Sequence, residues 1–180
     1  MSGHLEPRRR LGASLRPFDR SDFAGFYQET AERIYRLGWL LAGEEGEDLA
    51  AEAFAKAFAR WSDVGDMANP EAWVRKVLVN LSISWKRRLA SRREGSARLQ
   101  RDRPSLYRST DAMDDRMTVA QSVSRLPPKQ RAAVILRHYE GRTLKDIARI
   151  LGCRISSVNS HLRRAHDKLA QELGPEYRGT

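Results

Sequence analysis

The sequence predicts an all-α protein of two small helical domains joined by a flexible basic linker, the second containing a helix-turn-helix. Three observations carry this. Apolar residues recur at steps of three and four along most of the 180 residues, the spacing that gathers them on one helix face. No sustained strand alternation and no internal repeat is present. Between Ser91 and Asp111 apolar residues become sparse and arginines frequent, so that stretch cannot build a packed core and reads as a linker.

Residues 1–17, with an arginine triplet and no periodicity, read as a flexible basic tail. Ser21 can cap a helix reaching Ala42, with Phe23, Phe26, Tyr27, Ile34, Leu37 and Leu41 as its apolar face and Gly43 as its stop. A second helix is expected from Glu47 to Trp61, burying Ala50, Phe54, Ala57, Phe58 and Trp61. Residues 62–69 read as a loop. Asn69 followed by Pro70 is an N-cap and first-position pair that opens a third helix to about Leu89, with Trp73, Val77, Leu81 and Ser84 along one line.

The linker's 21 residues from Ser91 to Asp111 span roughly 70 Å if extended, at about 3.3 Å each. Beyond it, a helix is expected from Ala112 to Ser124 and another from Lys129 to Tyr139, separated by the break at Leu126, Pro127 and Pro128. Thr143 with Asp146 forms a capping box for a helix whose face is Leu144, Ile147, Ala148 and Leu151. Gly152, Cys153 and Arg154 then turn the chain. The last helix should bury Ile155, Val158, Leu162, Ala165 and Leu169 and leave Ser156, Ser157, Asn159, Ser160, Arg163, Arg164 and Lys168 free. Hydroxyls and an amide near a helix start suit base edges and phosphates, and the arginines one turn later suit phosphate or guanine. A solvated basic face is the plainer alternative.

The formal charge of +10 points to an anionic partner, nucleic acid or a membrane surface. Its distribution says more: residues 1–17 carry +3, 18–61 carry −4, 62–90 carry +2, 91–112 carry +3 and 113–180 carry +6. An acidic patch inside a basic protein suggests two partners, one anionic and one basic in its contact surface. Glu47, Asp48 and Glu52 at the start of the second helix favour its dipole, which alone would explain them. The neighbouring Glu44 and Glu45 are not required by the dipole. In the third helix, Trp73 and Trp85 lie among Arg75, Lys76, Lys86, Arg87 and Arg88. Rings interleaved with cations hold unstacked bases while neutralising the backbone; the plain alternative makes both tryptophans core, and for Trp73 that alternative is preferred.

No apolar run approaches a bilayer span and the N-terminus lacks a signal-peptide core, so a cytoplasmic protein without membrane insertion is expected. Cys153 is the only cysteine, which excludes an internal disulfide. The four histidines have no cysteine cluster beside them, and His161 and His166 fall on different helix faces, so no metal is expected. There is no phosphate-cradling glycine loop and no carboxylate cluster for two metals, which argues against an enzyme acting on nucleic acid. No catalytic residue and no cofactor are assigned.

Taken in order, DFAGFYQETAERIYRLGWLLAG, GEDLAAEAFAKAFARW, NPEAWVRKVLVNLSISWKRR and then LPPKQRAAVILRHYEGRTLKDIARILGCRISSVNSHLRRAHDKL resemble the extracytoplasmic-function group of bacterial RNA polymerase sigma factors, within the sigma-70 family. The resemblance covers residues 18–90, matching the family's region 2, and 113–173, matching its region 4, with residues 91–112 as linker and 174–180 as tail. It implies a non-catalytic specificity subunit that binds core RNA polymerase and promoter DNA, duplex and single-stranded, and directs promoter-specific initiation; an anti-sigma factor is a further candidate partner. Polymerase contacts would fall on Glu47, Asp48, Glu52 and Lys56. The minus-ten element would meet Ser62, Asp63, Asp66, Asn69, Trp73, Arg75, Lys76, Asn80, Arg87 and Arg88. The minus-thirty-five element would meet Arg154, Ser156, Ser157, Asn159, Ser160, Arg163 and Arg164.

Two positions depart from the family pattern: Ser84 stands where an aspartate is common, and Asn159 where a basic residue follows the valine of the recognition helix. The rival reading is an autonomous helix-turn-helix regulator of the response-regulator type, which accounts for the C-terminal domain alone and predicts tight duplex binding without polymerase.

Overall fold

The computed structural model describes residues 20–96 and 119–177, and every regular element among them is helical. The expected tail 1–17, the linker from residue 97, the start of the helix expected at Ala112 and residues 178–180 lie outside the described residues.

Helix α1 covers Arg20–Ala42 and stops at Gly43, whose φ of 71° is open to glycine and strained for other residues. A single 3-10 turn, Gly43–Glu45, leads into α2, Gly46–Phe58. The two helices cross backbone on backbone. A Cβ on Gly46 would lie 2.1 Å from the Gly38 carbonyl oxygen, and one on Gly38 would lie 2.4 Å from that of Gly46. Helix α2 is shorter than expected: the chain turns at Ala59 and Arg60, and Trp61 starts a separate short helix α3, Trp61–Val64, inside the stretch expected to be loop. Trp61 still reaches the core, while Phe58 is 38% exposed and packs edge-on against Phe23 with centroids 5.0 Å apart.

Asn69 Oδ1 accepts a hydrogen bond from the Ala72 amide at 2.8 Å, the cap expected there, and Pro70 opens α4, Pro70–Ser96. Helix α4 passes the expected end at Leu89 and takes in the first residues assigned to the linker. Its buried line is Val74, Leu78, Val79 and Ile83, one step round from the expected Trp73, Val77, Leu81 and Ser84. The cause is tertiary. α1 and α2 of the front half and helices of the rear half all pack on α4, and the face carrying Val74, Leu78, Val79 and Ile83 is the one left buried.

The rear half begins with a helical stretch, α5, over residues 119–125. After Leu126 and Pro127 comes α6, Pro128–Val134, whose end widens into a π-helical turn, Ile135–Tyr139. Helix α7, Leu144–Leu151, is capped by the Thr143 hydroxyl, which accepts from the Asp146 amide at 3.1 Å and donates to the Asp146 carboxylate at 2.6 Å. That hydroxyl, with help from Arg149, holds the Asp146 carboxyl below its ordinary pKa. Gly152 closes α7 at φ 61°, and α8, Ile155–Leu173, follows after the turn 152–154 and packs on α7, the order expected of a helix-turn-helix, ending in a 3-10 turn, Pro175–Tyr177.

Helix α8 packs on both α6 and α7, while α6 and α7 also pack on α4. Front and rear therefore share one apolar core, from Ile34 and Leu37 through Leu78 to Leu136, Ile147 and Val158. Arg131 seals the junction. Its side chain is nearly enclosed, Nη1 donating to the Leu41 carbonyl at 2.6 Å and Nε to the Val123 carbonyl at 3.1 Å. Burial lowers the Arg131 pKa from its ordinary value.

Candidate functional site

Three surfaces carry the residues singled out in the sequence. On α8 the buried stripe is Val158, Leu162, Ala165 and Leu169, and the opposite side presents Ser156, Asn159, Arg163, Arg164 and Lys168 to solvent, with Ser157 and Ser160 half-buried beside them. Ser160 donates its hydroxyl proton to the Ser156 carbonyl at 3.0 Å, so toward an outside group it is left as an acceptor. Arg154 sits at the N-cap in extended conformation, exposed at the mouth of the turn. Ile155, expected in the core, is 46% exposed and joins this outer surface.

The second surface lies along α4. At about 100° per residue, Trp73, Lys76, Asn80, Ser84 and Arg87 fall within one narrow arc of the helix, with Arg88 at its edge. Lys76, Asn80, Arg87 and Arg88 are exposed, and Trp73 is half-buried with the Arg60 guanidinium 5.9 Å from its ring centroid. Exposed residues Ser62 and Asp63 of α3 precede this arc, Asp63 pairing with Arg60 at 3.7 Å; Asp66 is exposed in the following turn. The carbonyl oxygen of the Asn69 side chain is already engaged as the α4 cap, which leaves its amide NH2 for an outside acceptor.

Arg75 is not part of that arc. It lies on the far side of α4, 4% exposed, and is held by Glu71 and by Glu140 of the rear half. Burial pushes the Glu71 carboxyl up, but hydrogen bonds from Arg33 and Arg75 outweigh it and keep the group below its ordinary pKa.

The third surface is the start of α2. Glu47, Asp48 and Glu52 are exposed, and Lys56 is tied to Glu52 at 3.2 Å.

Two features escape sequence reasoning. His138 in the π-helical turn and His166 on α8 bring their Nε2 atoms to 3.0 Å, and burial followed by the nearby His166 and Arg137 lowers the His138 pKa. No spacing rule links positions 28 apart across a turn. The other is an exposed groove beside α2, where Tyr35, Arg36 and Trp39, none of them singled out in the sequence, meet Glu44 and Glu47, which the sequence marked only as part of an acidic patch. Among the described residues no cluster of three potential ligands is placed to hold a metal, and no helix is long and apolar enough to cross a membrane.

A helix-turn-helix with a free basic face, packed on a helical bundle with a second cationic and aromatic face, defines a nucleic-acid-binding protein. Comparison with known proteins narrows the class. The family described as Sigma-70, region 4 matches residues 116–169. The RNA polymerase sigma-E factor of Streptomyces antibioticus is 32% identical over 129 residues, 72% of this chain and 71% of that protein. The RNA polymerase sigma factor YlaC of Bacillus subtilis is 27% identical over 155 residues, 82% of this chain and 87% of that one. The sigma factor RpoE of Bartonella quintana, solved with the anti-sigma factor NepR, shares the fold with a TM-score of 0.65 at 24% identity, covering 85% of this chain and 97% of that one. The chain belongs to the extracytoplasmic-function group of the sigma-70 family of RNA polymerase sigma factors.

Proposed function

We propose that the three surfaces divide the work of promoter-specific initiation among them. As a sigma factor the chain binds core RNA polymerase and directs it to promoters. The acidic start of α2, with Glu47, Asp48, Glu52 and the paired Lys56, meets a basic surface of the polymerase. The α4 arc, with Trp73, Lys76, Asn80, Arg87 and Arg88, holds the unpaired strand of the minus-ten element. Ser62, Asp63, Asp66 and Asn69 lie where an extruded base would be received. The outer face of α8, from Arg154 to Arg164, reads the minus-thirty-five duplex in the major groove. Residues 18–90 and 113–173 would act as the two DNA-engaging units, with an anti-sigma factor as a candidate inhibitor.

The observation that carries this reading is the co-occurrence of an exposed acidic turn and two separate exposed cationic faces, one with an aromatic ring, on one small chain. The structure alters the residue set in one respect: Arg75 is withdrawn from the strand-holding group because its charge is spent inside. Run-off transcription with purified core polymerase tests the proposal. A defined transcript that requires the chain is the expected result; tight sequence-specific duplex binding by the chain alone, with no stimulated transcript, would favour an autonomous regulator.

A further inference from the structure

Trp39 is 60% exposed, the most exposed large hydrophobic side chain among the described residues. It stands on the last turns of α1 and borders a groove of about 610 Å³ lined by Tyr35, Arg36, Trp39, Glu44 and Glu47. The groove has a firm wall. The Tyr35 ring stacks on Phe54 with centroids 6.0 Å apart, and its hydroxyl accepts a hydrogen bond from Tyr27 at 3.3 Å. Arg36, which also lines the groove, is ion-paired with Glu32. Glu44, Glu45, Glu47 and Asp48 have no cationic partner among the described residues.

An indole left in water beside unpaired carboxylates is a poor surface for a free protein and a good one for a partner. A guanidinium fits it best. Its flat face stacks on an aromatic ring while its N–H edge reaches carboxylate oxygens, a combination that an ammonium or an apolar side chain cannot reproduce. The groove also shares Glu47 with the acidic turn of α2, so the two surfaces adjoin.

We propose that this groove seats an arginine from a basic segment of core RNA polymerase, with Trp39 as the apolar anchor and Glu44 and Glu47 as its charge partners. The proposal rests on the reading of the α2 turn as the polymerase-facing surface. Trp39 supplies a contact that salt screens little, whereas the carboxylates steer the approach.

The experiment measures binding of full-length chain to purified core polymerase for the wild type, Trp39→Ala, Trp39→Phe, a Glu44→Gln/Glu47→Gln double variant and an Asp48→Lys/Glu52→Lys double variant, each first checked by thermal melting. Trp39→Ala is expected to melt as the wild type does and to bind about tenfold or more weakly, a loss that persists at high salt. Trp39→Phe should recover most of the affinity, and the Gln variant should lose affinity mainly at low salt. A photo-crosslinker at position 39 should attach to an arginine-containing polymerase segment. Wild-type affinity in Trp39→Ala overturns the groove, even if the Lys variant is impaired and the α2 reading survives. A harmless Lys variant beside an impaired Trp39→Ala overturns the α2 reading and leaves the groove standing.

Discussion

Arg75 and Glu140 meet across the junction of the two halves, Arg75 Nε lying 2.8 Å from Glu140 Oε2. The N–H is not aimed at that oxygen, so the contact is an ion pair more than an aligned hydrogen bond. Arg142 reaches the same carboxylate oxygen at 3.2 Å, and Glu71 holds the other end of Arg75. A charge this enclosed depends on its partners, because removing one leaves it desolvated with less compensation. The α4 cation placed nearest the rear half thus serves the packing of the two halves.

Replacing Glu140 by alanine should therefore destabilise the packed form. Breaking a buried pair commonly costs about 3–5 kcal/mol, and the surviving Glu71 contact reduces the expected loss to about 2 kcal/mol. Urea unfolding reads the loss, and small-angle scattering should show a larger particle. A variant with the wild-type midpoint and dimensions would mean that the pair contributes nothing to docking.

The placement of Arg75 separates it from its neighbours on α4. Arg75→Ala should lower stability while leaving the binding of a single-stranded minus-ten oligonucleotide by the polymerase complex unchanged. Lys76→Ala and Arg87→Ala should each weaken that binding severalfold with normal melting. Equal loss in all three would return Arg75 to the DNA surface.

On α8, Arg163 and Arg164 are exposed and project from the face opposite the core. Their replacement by alanine should weaken upstream promoter recognition by about 1–3 kcal/mol for each arginine that reaches a base. A titration of promoter duplex with the assembled holoenzyme reads this. Unchanged affinity would place the reading face elsewhere.

The histidine pair predicts a pH response. The His138 pKa is lowered in the folded chain, so the folded state binds fewer protons than the unfolded one. Its contribution to stability is complete above the ordinary histidine pKa of about 6.5 and is lost as pH falls through that value toward the lowered one. The melting temperature should drop between about pH 7.5 and 5.5 more steeply than in His138→Gln. Identical slopes in both proteins would exonerate the pair.

The Gly38 and Gly46 crossing allows a sharp stability test. Gly46→Ala places a methyl group against the Gly38 backbone, which cannot rotate away as a side chain could. A loss of about 3 kcal/mol or more is expected, beyond ordinary overpacking. Gly25→Ala, with nothing within 4 Å of the added carbon, should be neutral or slightly stabilising in a chemical melt.

What could be read from the sequence is what local chemistry decides. The Thr143 cap, the left-handed Gly152, the Asn69 and Pro70 start and the Gly43 stop each depend on a few adjacent residues, and each stands where their chemistry puts it. The α4 face, the exposed Ile155 and the internal Arg75 are different. Each is set by which distant helix covers it, and periodicity cannot tell which side of a helix with two apolar edges will be covered. The same limit hid the exposure of Trp39, which stands on α1 close to its crossing with α2, and the meeting of His138 with His166, 28 positions away.

Helix α4 continues as a rod to Ser96, about seven residues past the end its periodicity suggested. At 1.5 Å per residue this moves the point of departure of the following chain roughly 10 Å outward. Only residues 97–118 join Ser96 to the start of α5, and at about 3.3 Å each these 22 residues cap the distance between those two points at roughly 75 Å.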